Sequence, residues 1–87
     1  MKIKQDPVGI GPNLKRLRQK AGYSQSQFVK LLQQMSLPIS IDIYKKMEQN
    51  RYNIRINELI AMKEILDVDF NELFRDLAFM RIDHTAE

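Results

Sequence analysis

Apolar residues recur at helical spacing in five separate stretches of the chain, and nowhere at the two-residue alternation of a half-buried strand. The first helix is expected over residues 12–20, with Pro12 at its opening position, where a missing N–H costs nothing. Leu14 and Leu17 share its apolar face, and Gly22 suits a left-handed stop. A second helix follows Ser24, whose hydroxyl and the Gln27 side chain form a capping box. Its stripe is Phe28, Leu32 and Met35, with Val29 and Leu31 beside it.

Pro38 then breaks the chain, and Ser40 restarts it as the N-cap of a third, short helix. Ile39 before that cap and Tyr44 four residues after it are spaced as a hydrophobic staple. Tyr44 and Met47 therefore read as core, with Ile43 on the same apolar side. The fourth helix is expected over residues 56–66, with Leu59, Met62 and Leu66 on one face and Asp67 at its end. "DFNE" (Asp69 to Glu72) offers a second capping box for a fifth helix bearing Leu73, Phe74, Leu77 and Met80. Met35, Met47, Met62 and Met80 are all expected to fill the core.

The pattern predicts an all-α domain over residues 10–80, with an N-terminal arm at 1–9 that has no sustained period and a frayed tail at 81–87. Eighty-seven residues that are 44% apolar and 29% charged suit one small domain. No run of eighteen apolar residues is present, so no membrane span is expected. The N-terminus lacks the apolar run of a secretory signal. The absence of cysteine excludes a disulfide framework or a thiolate metal site and suits a reducing, cytoplasmic setting. No metal or cofactor is implied.

Charge changes the picture more than composition does. The net charge is only +3, but residues 1–55 hold eleven Lys or Arg against three acids, a balance of +8. Residues 56–87 hold three bases against eight acids, a balance of −5. Such segregation is the footprint expected for a polyanion on the N-terminal half, although small basic domains are often lopsided for no such reason. An enzyme is not expected: His84 is the only histidine and lies in the tail, and "GIGPN" lacks the Gly-Lys-Ser/Thr ending of a phosphate loop. No catalytic residue is assigned.

The stretches "IGPNLKRLRQKAGYSQSQFVKLL", "ISIDIYKKMEQNR" and "INELIAMKEILDVDFNELF" taken in order resemble the lambda-repressor-like, xenobiotic-response-element type of helix-turn-helix domain. The resemblance covers residues 10–74; the link "QQMSLPIS" is longer than in most members. It implies a compact five-helix bundle that binds double-stranded DNA. In that family the glutamine matching Gln25 contacts a phosphate, and residues 40–47 match the recognition helix that enters the major groove. Ser40, Ile41, Asp42, Lys45 and Lys46 would face the DNA, and Asn50 and Arg51 would lie along its backbone. Arg18 and Glu48 match an internal ion pair. The resemblance thus implies a small bacterial or phage transcriptional regulator, most often a repressor, acting as a homodimer at least on DNA.

Several residues sit awkwardly in this frame. Where the family carries Ser, Arg, Gln or Thr, this chain has Ile41, Asp42 and Ile43. Asp42 can accept from a cytosine amino group and isoleucine can touch a thymine methyl; equally, Asp42 can be a first-turn acid that favours the helix dipole. Lys63 stands where a small residue is usual and would have to snorkel. Leu77, Phe79, Met80 and Ile82 extend past the family core as a possible dimer surface, or as the contact of a protein-interaction module on the same fold.

Overall fold

The computed structural model describes residues 9–76. Among these the fold is all-helical: α1 (Gly11–Lys20), α2 (Gln25–Gln34), α3 (Ile41–Glu48), α4 (Ile56–Leu66) and the single-turn α5 (Phe70–Leu73). The expected boundaries are met closely for the first four. Leu77, Phe79, Met80 and Ile82 lie outside the described residues, as do most of the arm and the tail.

The core gathers one side of every helix. Leu14 and Leu17 of α1, Phe28 and Leu32 of α2, Tyr44 and Met47 of α3, Met62 and Leu66 of α4 and Leu73 of α5 are all buried. Phe28 is the hub of the aromatic packing, with its ring centroid 5.3 Å from that of Tyr44 and 6.0 Å from that of Tyr23. The staple expected of Ile39 and Tyr44 has both members buried.

Each of the four longer helices ends in the same way. Gly22, Ser36, Asn50 and Asp67 take left-handed backbone conformations just past the ends of α1, α2, α3 and α4. The next residue then donates back to the last turn: Tyr23 to the Arg18 carbonyl (3.1 Å), Leu37 to Leu32 (3.3 Å), Arg51 to Lys46 (2.8 Å) and Val68 to Lys63 (3.4 Å). This is the Schellman arrangement, which satisfies carbonyls that the helix itself leaves open. Only Gly22 adopts it without a Cβ penalty.

The link between α2 and α3 follows from this ending. Leu37 folds back and packs, half-buried, against the core, and Gln33 Nε2 donates to the Ile39 carbonyl at 2.9 Å. Met35, expected in the core, is instead 45% exposed. It occupies the C-cap, where the chain is already turning away, and Leu37 is the next apolar residue to pack against the core.

Two further expectations are corrected at the C-terminal end. Asp69 makes no side-chain capping bond, so α5 lacks its expected capping box. Phe74 is 40% exposed rather than core. The end is held from outside: Asn13 Nδ2 of α1 donates to the carbonyls of Leu73 and Arg75, each at 2.9 Å. Lys63 does snorkel, and its ammonium lies 5.4 Å from the centre of the Phe70 ring.

The start of α1 depends on the end of α3. No side chain of the N-cap residue, Ile10, caps α1; the Gly11 N–H donates to Asn50 Oδ1 at 2.7 Å. The approach is so close that a Cβ on Gly11 would stand 2.4 Å from the Glu48 carbonyl oxygen. Gly11→Ala should therefore cost roughly 2 kcal/mol or more, since the obstacle is backbone. Asn50→Ala should cost about 2 kcal/mol, half from the lost cap and half from a left-handed alanine. Asn50→Gly, which relieves only the backbone, should fall between Asn50→Ala and wild type in urea denaturation. A glycine variant as stable as wild type would show that the cap contributes nothing.

Candidate nucleic-acid interface

The candidate surface is built on the ends of α2 and α3. Ser24 caps α2: its hydroxyl accepts from the Gln27 N–H at 3.1 Å, and the Gln27 side-chain oxygen accepts from the Ser24 N–H at 2.8 Å. The box leaves the first N–H groups of the helix, those of Gln25 and Ser26, without a partner among the described residues. Ser40 does the same for α3, its hydroxyl accepting from the Ile43 N–H at 3.2 Å.

The sides of α3 are divided by burial. Tyr44, Met47 and Glu48 face inward. Asp42, Lys45 and Lys46 are exposed, as is the cap residue Ser40. Ile41 and Ile43 are half-buried and pack against the core. Ile41, expected at the tip of the surface, is thus partly committed to holding the helix down. Asp42 stands outward in the first turn, where an acid favours the helix dipole.

Beyond α3, Arg51 and Arg55 are both exposed. Glu58 steadies the strap between α3 and α4: its carboxylate accepts from the Arg55 N–H at 2.8 Å and from the Tyr52 hydroxyl at 3.2 Å. From residue 41 to residue 55 the outward charges are Lys45, Lys46, Arg51 and Arg55 against Asp42, because Glu48 is buried in an ion pair. Four cations against one acid, on fifteen consecutive residues, is a surface suited to a polyanion.

Under this surface lies a buried polar network. Arg18 Nε donates to Glu48 Oε2 at 2.6 Å, and Arg18 Nη2 reaches Glu48 Oε1 at 3.3 Å. The third donor, Nη1, bonds the Tyr23 carbonyl at 2.8 Å, just before α2. Gln25, expected to point at a phosphate, donates its Nε2 to Glu48 Oε1 at 3.0 Å. The Tyr44 hydroxyl is buried in the same region without a hydrogen bond of good geometry. Its proximity to Glu48 nevertheless matters for charge. Burial first, then the carboxylate, push the Tyr44 hydroxyl far above the usual tyrosine range. For Glu48, burial alone would raise the pKa; the bonds and charge supplied chiefly by Arg18 overcome that and hold it below the ordinary value. The hydrogen bond to Glu48 likewise raises Arg18.

The sites read from the sequence thus divide. Lys45 and Lys46 in the last turn of α3 and Arg51 in the strap after it are exposed, as are Ser40 and Asp42 at its start. Gln25 and Asn50 are half-buried and each has an internal bond. Arg18 and Glu48 pair as expected. Sequence reading did not pick out Arg55, the Gln25–Glu48 contact or the Asn50 cap; Gly9 and Gly11, the two glycines beside Asn50, were the available signal for the last. No family model, curated protein or solved structure matches the chain.

The network makes a pH prediction. With Glu48 held below the ordinary carboxylate range, its ionisation stabilises the fold fully above the unfolded-state pKa, and that contribution disappears as pH falls through the lower folded value. Glu48→Gln should cost about 3 kcal/mol at neutral pH by leaving Arg18 unpaired. The gap between wild type and Glu48→Gln in urea midpoints should narrow steadily as pH is lowered below the ordinary glutamate value. A gap independent of pH would mean that the charge of Glu48 is not what stabilises the fold.

Proposed function

We propose that the protein binds double-stranded DNA, with α2 and α3 as a helix-turn-helix of the lambda-repressor-like type and α3 in the major groove. The observation that carries the reading is the division of α3. The helix buries Tyr44, Met47 and Glu48 and turns Lys45 and Lys46 outward, and Arg51 and Arg55 are exposed in the strap that follows. Cations on an exposed helix and its adjoining strap favour the release of counterions from a duplex, which supplies most non-specific affinity. The uncapped first amides of α2 and the half-buried Gln25 lie at the other end of the same network and suit a backbone phosphate. The long link fits the same scheme, since it ends in the staple that fixes the entry angle of α3.

In this reading the regulator is small, cytoplasmic and dimeric on DNA, with two copies of α3 spaced by ~34 Å, one turn of the duplex. Readout is carried by Lys46 and the first turn of α3, and Asp42 narrows it: an outward carboxylate is repelled by phosphate and tolerated where it can accept from cytosine.

A second reading is favoured by one specific observation. Ile56 and Ile60, one turn apart on α4, are 68% and 45% exposed. Such a pair suits a protein contact, either with a second copy on DNA or with a different partner.

Substitutions separate the roles. Lys46→Ala should weaken a selected site about tenfold, relax preference at one base pair and lower the salt slope by about 1. Arg55→Ala should weaken all sequences alike with a similar change in slope. Fluorescence anisotropy over a salt series measures both. Equal losses on every sequence for Lys46→Ala would remove Lys46 from base readout.

A further inference from the structure

We propose that Glu48 is the positioning residue for Gln25, the carboxylate through which the core of the domain sets the proposed phosphate contact. The inference rests on the DNA-binding reading and deepens it. Glu48 is 9% exposed and ends α3; Gln25 begins α2. One carboxylate oxygen, Oε1, accepts from both Arg18 Nη2 and Gln25 Nε2, while the other is taken by Arg18 Nε. Gln25 has two amide hydrogens on that nitrogen and a carbonyl oxygen. With one hydrogen committed to Glu48, the side chain is fixed and the second hydrogen remains to donate outward.

Three consequences make this more than an internal bond. A glutamine held in one rotamer has already lost the freedom it would otherwise lose on binding. Arg18 neutralises the carboxylate, so a negative group can lie close behind a phosphate contact without repelling the phosphate. The same carboxylate also joins α1, α2 and the end of α3, so the phosphate contact keeps its place relative to the helix that carries Lys45 and Lys46.

A double-mutant cycle on DNA affinity tests it. Glu48→Asp keeps a charge opposite Arg18 but withdraws it from Gln25 by about one carbon–carbon bond, ~1.5 Å. Glu48→Gln is the second variant, and circular dichroism checks that each is folded. Gln25→Ala should weaken binding to selected and random duplex alike, about tenfold, and Glu48→Asp about fivefold. Combined, they should be no weaker than Gln25→Ala alone. Losses that multiply would overturn the proposal and leave Glu48 as a structural residue only. A wild-type protein that binds no duplex would overturn the DNA reading itself, and the proposal with it.

A readout without DNA keeps the two failures distinct. In nitrogen–proton correlation spectra, one glutamine side-chain amide pair, assigned through Gln25→Ala, should shift with the titration of Glu48. A Gln25 amide indifferent to that titration would contradict the contact whether or not DNA binds.

Discussion

The ion pair between Arg18 and Glu48 is the constraint on which the rest of the molecule hangs. It joins the last turn of α1 to the last residue of α3, and its remaining donors and acceptors reach the Tyr23 carbonyl and the Gln25 amide at the start of α2. Three helices therefore meet at one carboxylate. A buried pair of this kind contributes little over a well-packed apolar substitute, because desolvation offsets most of the Coulomb attraction. Its value is directional. Apolar contacts around Phe28 and Tyr44 hold the helices together but tolerate sliding, whereas a two-pronged guanidinium–carboxylate contact admits one arrangement.

A second side-chain contact ties the start of α1 to the end of α3. The Asn50 side chain caps α1, and its left-handed backbone closes α3. One residue thus ends one helix and starts another, and the close approach requires glycine at position 11. Asn13 does the converse at the far end, where its amide takes up carbonyls at the close of α5. Short helices leave a large share of their backbone groups unpaired, so side-chain caps across the bundle matter more here than in a domain of long helices.

The helices were legible in the sequence because each carries both a periodic apolar stripe and a local start or stop signal. Ser24 with Gln27, and Ser40 behind Ile39, mark starts that depend only on neighbouring residues, and both are observed. Stops were harder. Gly22 is a plain signal, but Ser36 and Asn50 reach the left-handed region because the chain beyond them is anchored, and that anchoring is tertiary. Met35 was misplaced for the same reason: a periodic stripe does not reveal where the helix releases it. Asp69 and Glu72 have the spacing of a capping box without its bond. Of the candidate surface, Lys45, Lys46 and Arg51 were readable from the sequence, and Arg55 was not singled out. The engagement of Gln25 and Asn50 was not readable, since their partners lie 23 and 39 residues away in the chain.

The proposed interface is a small number of cations held at fixed positions by a network that they do not themselves join. Lys45 and Lys46 lie on a helix whose other side is closed by Tyr44, Met47 and Glu48, so their direction is set by packing rather than by contacts of their own. In the proposed reading, attraction to any duplex follows from this, and preference for one sequence is assigned to the first turn of α3, where Asp42 is exposed and Ile41 half-buried. The measurement that bears most directly on the account is the affinity of the protein for a duplex selected from a random pool, compared with unselected duplex at the same salt concentration. A protein that reads sequence with α3 should bind the selected site at least about 10³-fold more tightly. Equal, weak and salt-sensitive binding to both would contradict it, and would leave the exposed Ile56 and Ile60 of α4 as the leading surface on the domain.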